Sequence, residues 1–362
     1  MKRFAVPVLL VLFAWGCQKE AADIVEPPTP DQPTTKAPAG SDPQCVGPIG
    51  AGTPESIKVG ETEWEQNGST LTLKSPKLES LTLGAVSDIK EDTEENRVNL
   101  KVAADVFKRE KVDAIIVSGD TGEDQAQIEA SLGILAAVGV PVFNIVGNRE
   151  GKTEYGKAMV ALRARHGNVF DLNTIRRVDT PVADIVSMPG YYNPSYIHHD
   201  DGCQYFSADV ALLEKLVKSC DSPTILVSHG GPRQEGAQAI DRTAEGANVG
   251  DPGLSNLITS AQIPFGIFGN IHEAGGRATD ASGKNLLKQG EMHPQLFLNP
   301  GAADGVRWPM NDGSLSVGMA AMLKVEGDKA KYTVFNLSES EDAPASPNAK
   351  PGKGKKKGKK KG

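Results

Sequence analysis

Aspartate, asparagine and histidine recur through the middle of this 362-residue chain in short polar turns, each placed directly after an apolar run. Asp88 follows the run 81–87, Asp120 follows 112–118, Asn148 follows 140–146, and His229 follows 224–228. Asn270 and His272 follow 265–268. Carboxylate and carboxamide oxygens together with imidazole nitrogens are donors suited to divalent transition metals such as manganese, iron or zinc. Gly119, Gly147, Gly230 and Gly269 flank these positions and permit tight backbone there. One such turn is worthless as evidence. Five in order carry weight if the runs are strands ending on one edge, where α/β sheets bind ligands.

The elements needed to bring them together are legible in the pattern. Residues 81–87, 112–118, 140–146, 224–228 and 265–268 read as buried strands, with shorter ones near 169–171 and 183–187. Apolar spacing predicts helices over 94–111, 124–138, 154–166, 208–218 and 254–261. The last part, 296–298, 315–325 and 331–337, reads as strands only. No internal repeat is present. Helices alternating with strands and then a β-rich end fit an α/β layered sandwich.

The rest of the chain bounds the setting. The formal charge of -7 averages segments of opposite sign. Setting aside Lys2, Arg3 and the eight lysines of 350–362 leaves about -17 on what lies between, which argues against nucleic-acid binding by the folded part. Lys2 and Arg3 precede an apolar stretch too short to span a membrane as a mature helix but suited to a secretory signal. That stretch closes in Ala14-Trp15-Gly16-Cys17, which resembles a bacterial lipobox and makes Cys17 the lipidation candidate. Residues 1–16 are then a leader, and 17–54, rich in proline with no apolar periodicity, a disordered tether. Residues 55–337 form the domain. Residues 338–362 are a disordered tail, acidic and then rich in lysine and glycine, suited by charge to anionic envelope polymers. A bacterial cell envelope is the expected location, with membrane attachment through the lipid. In an oxidising periplasm a bridge between Cys203 and Cys220 is expected, with Cys45 free or competing.

The ordered turns resemble the calcineurin-like metallophosphoesterase superfamily. Its pattern runs Asp-x-His, Gly-Asp-x-x-Asp/Glu, Gly-Asn-His-Glu/Asp, a strand ending in His, and Gly-His-x-His. Here these positions hold Asp88-Ile89-Lys90, Gly119-Asp120-Thr121-Gly122-Glu123, Gly147-Asn148-Arg149-Glu150, His229, and Gly269-Asn270-Ile271-His272, with Asn299-Pro300-Gly301 beyond. The resemblance implies a four-layer αββα sandwich with a two-metal centre that hydrolyses phosphate esters. Asp88 and His272 would serve one metal, Asn148 and His229 the other, and Asp120 would bridge. Glu123 and Glu150 match supporting acids.

Three departures each remove a histidine. Lys90 stands where a ligand is usual, Arg149 where the general acid is proposed, and Asn270 where the last motif has its first histidine. A protonated lysine beside Asp88 and Asp120 would compete with a metal, and arginine grips phosphate but cannot pass on a proton. Three readings follow. The first is a phosphoesterase with a depleted centre, one metal on Asp120, Asn148, His229 and Asn270, and Lys90 and Arg149 stabilising charge on a phosphorylated small molecule or polymer. The second is a degenerate relative binding anions at the surface, with one metal or none per chain. The third is a structural resemblance with a Lys90–Asp120 ion pair. Outside these motifs, His198-His199-Asp200-Asp201 reads as an exposed loop and Tyr191, Tyr192 and Tyr196 as loop packing or a cleft wall. Trp308 is a candidate aromatic wall.

Overall fold

The computed structural model describes residues 44–74 and 78–338; the leader, Cys17, most of the tether and the basic tail lie outside the described residues. In chain order the elements are β1 (Glu55–Val59), β2 (Thr62–Asn67), β3 (Thr70–Leu73), β4 (Leu81–Val86), α1 (Glu94–Glu110), β5 (Ala114–Val117), α2 (Gln125–Ala136), β6 (Val142–Asn144), α3 (Lys152–His166), β7 (Val169–Asp171), β8 (Arg177–Asp179), β9 (Asp184–Met188), α4 (Ser207–Val217), β10 (Thr224–Ser228), α5 (Pro252–Ser260), β11 (Phe265–Ile267), β12 (Arg277–Thr279), β13 (Leu296–Asn299), β14 (Trp308–Pro309), β15 (Leu315–Ser316), β16 (Met319–Glu326) and β17 (Lys329–Asn336). Among the described residues no helix is long and apolar enough to cross a membrane.

Two sheets carry the architecture. One has the order β17-β16-β4-β5-β6-β7, the other β1-β2-β3-β8-β9-β10-β11-β13-β12. The strands ending in polar turns are parallel neighbours: β4, β5 and β6 in the first sheet, β10 and β11 in the second. Alternation along them sorts side chains into layers. Leu83, Ile116, Phe143, Ile225 and Ile267 face the space between the sheets. Ile115, Val117 and Val142 point the other way, onto α1, α2 and α3, and Leu226 points onto α4 and α5. Three buried clusters thus separate four layers, the αββα sandwich. Because the central strands are covered on both faces, they read in sequence as continuous apolar runs rather than alternating ones.

The helices start where the sequence offers caps. Thr93 accepts the Asn96 amide at the head of α1, and Asp124 accepts that of Gln127 at α2. Asp251 caps α5, with Pro252 at its first position. The strands β1–β3 were not visible in the pattern, because β1 and β2 are an edge hairpin with few buried residues.

Two expectations are corrected. Residues 44–52, assigned to the tether, are tied into the body. Gly47 donates its amide to Asn173 O at 2.7 Å and accepts from the fully buried Arg176 guanidinium at 2.9 Å, while Gly50 bonds the Ser69 hydroxyl. The disulfide joins Cys45 to Cys203, not Cys203 to Cys220, with Cα atoms 5.1 Å apart. Cys45 and Cys203 both pack in the cluster under α1–α3, whereas Cys220 packs in the cluster under α4 and α5, on the opposite face of the sandwich. Cys220 stays free, its thiol pushed up to about 11 chiefly by burial.

Candidate metal centre

The turns after β4, β5, β6, β10 and β11 meet at one edge of the sandwich. Backbone bonds stitch them together: Asp88 N to Gly119 O, Lys90 N to Asp120 O, and Gly269 N to His229 O, at 2.8–3.1 Å. Asp88, Lys90, Asp120 and Asn270 all have positive φ, between 55° and 67°. Non-glycine residues adopt this region rarely, at a cost of about 1–3 kcal/mol each. The turns are therefore held by their surroundings. Glycine is obligatory beside them: a Cβ on Gly147 would lie 2.2 Å from Asp120 Oδ1 and 2.5 Å from its backbone nitrogen. One on Gly269 would meet the Ser87 hydroxyl at 1.9 Å.

Three donor atoms converge. His229 Nε2 lies 3.2 Å from Asn148 Oδ1 and 3.3 Å from Asp120 Oδ1, and one donor atom each of Asp88, Asp120 and His229 lies within 4.8 Å of the others. Each is oriented from behind. His229 Nδ1 is 2.8 Å from the Ser118 carbonyl, which holds a proton on that nitrogen and fixes the ring with Nε2 facing the cluster. Asn148 donates its amide nitrogen to Tyr196 O at 2.7 Å, leaving Oδ1 inward. Asp120 Oδ1 receives the backbone amides of Asn148 and Arg149. Two oxygens and an imidazole nitrogen, backed by hydrogen bonds and packed against each other, fit a divalent transition metal.

Charge is concentrated here out of water. Burial alone would raise the pKa of Asp88, yet His272, His229 and Lys90 hold it below the carboxylate range. Burial likewise opposes ionisation of Asp120, and His229 outweighs it. For His229, burial favours the neutral ring, but Asp120 and Asp88 push its pKa up to about 10. Glu150 is fully buried, and that burial with the nearby Asp120 raises it to about 7. It accepts the amides of Thr121 and Gly147, so it braces the two turns that carry Asp120 and Asn148.

The second half of the centre is thinner. His272 Nε2 lies 3.1 Å from Asp88 Oδ1, while Oδ2 of the same carboxylate accepts the Ser87 hydroxyl and the Asn270 amide. Asn270 directs its side-chain nitrogen to the Tyr191 hydroxyl at 2.8 Å and its oxygen toward Asn148. Lys90 does not pair with Asp88 or Asp120. Its ammonium bonds Asp304 Oδ2 at 2.8 Å and sits 4.1 Å over the Trp308 ring, because Asp304 is itself buried and needs a partner. The Lys90–Asp120 ion pair and the displacement of a metal by that ammonium are thus overturned. Glu123 supports no donor atom; it pairs with the Arg149 guanidinium at the surface. His199 Nδ1 accepts the Asp201 backbone amide at 3.3 Å, and Oδ2 of Asp201 accepts the Thr153 amide at the start of α3.

Sequence reasoning missed Asp304, the Ser118 and Tyr196 carbonyls, and the Tyr191 hydroxyl. Backbone carbonyls carry no sequence signal, and Asp304 sits 214 positions from its partner.

No family model and no curated protein matches the chain. Among solved structures, one crystal structure aligns at 14% identity and a TM-score of 0.54, covering 72% of this chain and 100% of its own. A dimetal phosphatase from Danio rerio is 13% identical, with 71% and 99% of the two chains covered and a TM-score of 0.43. A purple acid phosphatase from yellow lupin is 12% identical, with 76% and 54% covered and a TM-score of 0.47. These last two are likenesses only. On its layered architecture and the order of its strand-end turns, the chain has a fold of the calcineurin-like metallophosphoesterase type.

Proposed function

We propose that this chain is a metal-dependent phosphoesterase with a depleted centre, holding one divalent cation (manganese, iron or zinc) on Asp120, Asn148 and His229. The observation that carries the reading is the convergence of those three donor atoms, each oriented from behind by a carbonyl or an amide. A cation held there would supply Lewis-acid polarisation of a phosphoryl oxygen and of the attacking water. The chain's own residues position the rest. Arg149 binds Asp120 through its backbone amide and pairs its partly exposed guanidinium with Glu123; released from Glu123, that guanidinium is suited to gripping phosphoryl oxygens. Asp88 and His272 offer two side chains on their side besides the shared Asp120, with Lys90 turned away, so a second cation would be held with fewer ligands than the first.

The test is metal content and turnover of the mature protein. One cation per chain with hydrolysis of phosphate monoesters or diesters supports the reading, and two tightly bound cations would overturn the depletion. Converting Lys90, Arg149 and Asn270 together to histidine should raise both metal content and rate. A second reading, anion binding without hydrolysis, is favoured by Arg149 Nε, which is buried without a hydrogen-bond partner. No gain on restoration, with the fold intact, would favour it.

We place the domain on a cell-envelope lipoprotein anchored through Cys17. The apolar leader closing at Gly16-Cys17 supports this, as does a disulfide suited to an oxidising compartment. Cys17→Ser should move the protein from the membrane to the soluble fraction.

A further inference from the structure

A cleft of about 280 Å³ lined by Lys90, Arg149 and Trp308 adjoins the centre already described. A second cavity, of about 190 Å³, lies at the other end of the strands. Leu81 and Ala114 open β4 and β5 and line it, whereas Asp88 and Asp120 follow the same two strands at their far ends. At about 3.3 Å per extended residue, the stretch from Leu81 to Asp88 puts the cavity roughly 20 Å from the centre. Its floor is apolar and buried: Trp64, Leu83, Phe143, Val178 and Ile185. Its rim is half-buried, made of Thr62, Leu73, Leu78 and Asp113. The two hydroxyls of the lining are committed. Thr62 Oγ1 donates to Val59 O and accepts the Trp64 indole N–H, each at 2.8 Å, and Thr180 Oγ1 donates to Ala183 O at 2.7 Å. Asp113 is different. Its Oδ2 accepts the Thr82 amide at 2.7 Å, while Oδ1 has no hydrogen bond and no ion pair among the described residues. Lys324 pairs instead with Glu326 at 3.5 Å. Burial raises the Asp113 pKa by more than the Thr82 amide and Lys324 lower it.

We infer that this cavity binds a small organic amine carrying one apolar ring. A cavity of about 150 Å³ lined by leucine, isoleucine and phenylalanine holds benzene, and drug-sized ligands need about 300 Å³ or more. The volume here therefore takes a single ring with a short arm. With the ring against Trp64 and Phe143, an ammonium at the rim meets the Asp113 carboxylate and gives it the partner it lacks. An organic acid of the same size would set like charges together, and a plain hydrocarbon would leave Oδ1 unpaired. None of the metal donors lines the cavity, so the inference is independent of the phosphoesterase reading.

The experiment is calorimetry on the mature protein, with and without Mn²⁺, using benzylamine, toluene and benzoate as probes. One benzylamine should bind per chain, at least about tenfold tighter than toluene or benzoate, the fold-change expected of one charge-assisted hydrogen bond. Asp113→Asn keeps an acceptor for the Thr82 amide and should erase the preference over toluene while toluene still binds. Val178→Phe fills the cavity and should abolish binding of both; should that variant fail to fold, Asp113→Asn still decides. The Trp64 emission, isolated in Trp308→Phe, should shift as benzylamine binds. Equal affinity for benzylamine and toluene, tighter binding of benzoate, or no saturable binding at all would overturn the inference. So would a benzylamine affinity unchanged in Asp113→Asn, and so would its loss in Trp308→Phe, which would put the amine in the cleft beside the centre.

Discussion

Opening the Cys45–Cys203 bridge should weaken both the fold and the metal centre. The bridge spans 158 residues. Chain entropy for a loop of that length corresponds to about 5 kcal/mol at 25 °C, and bridges typically contribute about 2–4. A body of roughly 295 residues unfolds with an entropy near 0.6 kcal/mol/K, so the expected fall in Tm is roughly 3–8 °C. The effect on the centre has a structural route. Cys203 O accepts the Tyr191 amide at 2.9 Å, and Gln204 bridges to Tyr191. The segment that begins there places the Tyr191 hydroxyl on Asn270 and the Tyr196 carbonyl on Asn148. Loosening it frees the amide whose oxygen faces His229 Nε2 and the donor cluster. The assay is thermal unfolding and Mn²⁺ titration of the mature protein, with and without a phosphine reductant. Cys45→Ser should reproduce the reduced state, and Cys220→Ser should behave as wild type. An unchanged Tm after full reduction, verified by thiol counting, would refute the reasoning.

Three further outcomes are expected. Stripped of cations by a chelator, the protein should lose stability as pH rises. The His229 imidazolium contributes fully below its ordinary 6.5 and is lost through about 10, and Glu150, raised to about 7, has the same sign between 4.5 and 7. A urea midpoint that is flat or rises from pH 6 to 10 in chelator counts against this. Lys90→Met or Asp304→Asn alone strands a buried charge or dipole and should cost about 3–5 kcal/mol; the double variant should cost clearly less than the sum, as a double-mutant cycle will measure. Gly147→Ala forces its methyl against Asp120, so a loss of about 1–3 kcal/mol in unfolding free energy is expected together with weaker Mn²⁺ binding; wild-type affinity would show that the turn can yield.

The parallel strands, their helices and the five polar turns were legible because covered strands demand continuous apolar runs and tight turns demand small or amide side chains. Helix α1, expected over 94–111, ends at Glu110, where Lys111 turns left-handed. What was not legible depends on distance in space. Cys45 lies in a proline-rich stretch that looks unstructured in isolation, and distant partners such as Ser69, Asn173, Arg176 and Cys203 give that stretch a place. Lys90 next to two aspartates suggests an ion pair with them. The left-handed turn and the distant Asp304 send the ammonium elsewhere. At Asn148 the residue type was readable, whereas its orientation came from a backbone carbonyl that no letter encodes.

The contacts of Trp308 with the Lys90 ammonium and with the tilted His272 ring, each about 4.1 Å away, give the centre an optical reporter. The sequence contains three tryptophans. Trp15 falls in the leader, and Trp64 is buried between the sheets against Phe143, so it serves as an internal constant. An indole in contact with an ammonium and an imidazole has its emission set by their charge and spacing. Whatever fills the cleft or engages His272 should therefore shift the Trp308 component while Trp64 stays fixed, and occupancy can be followed by light without any label.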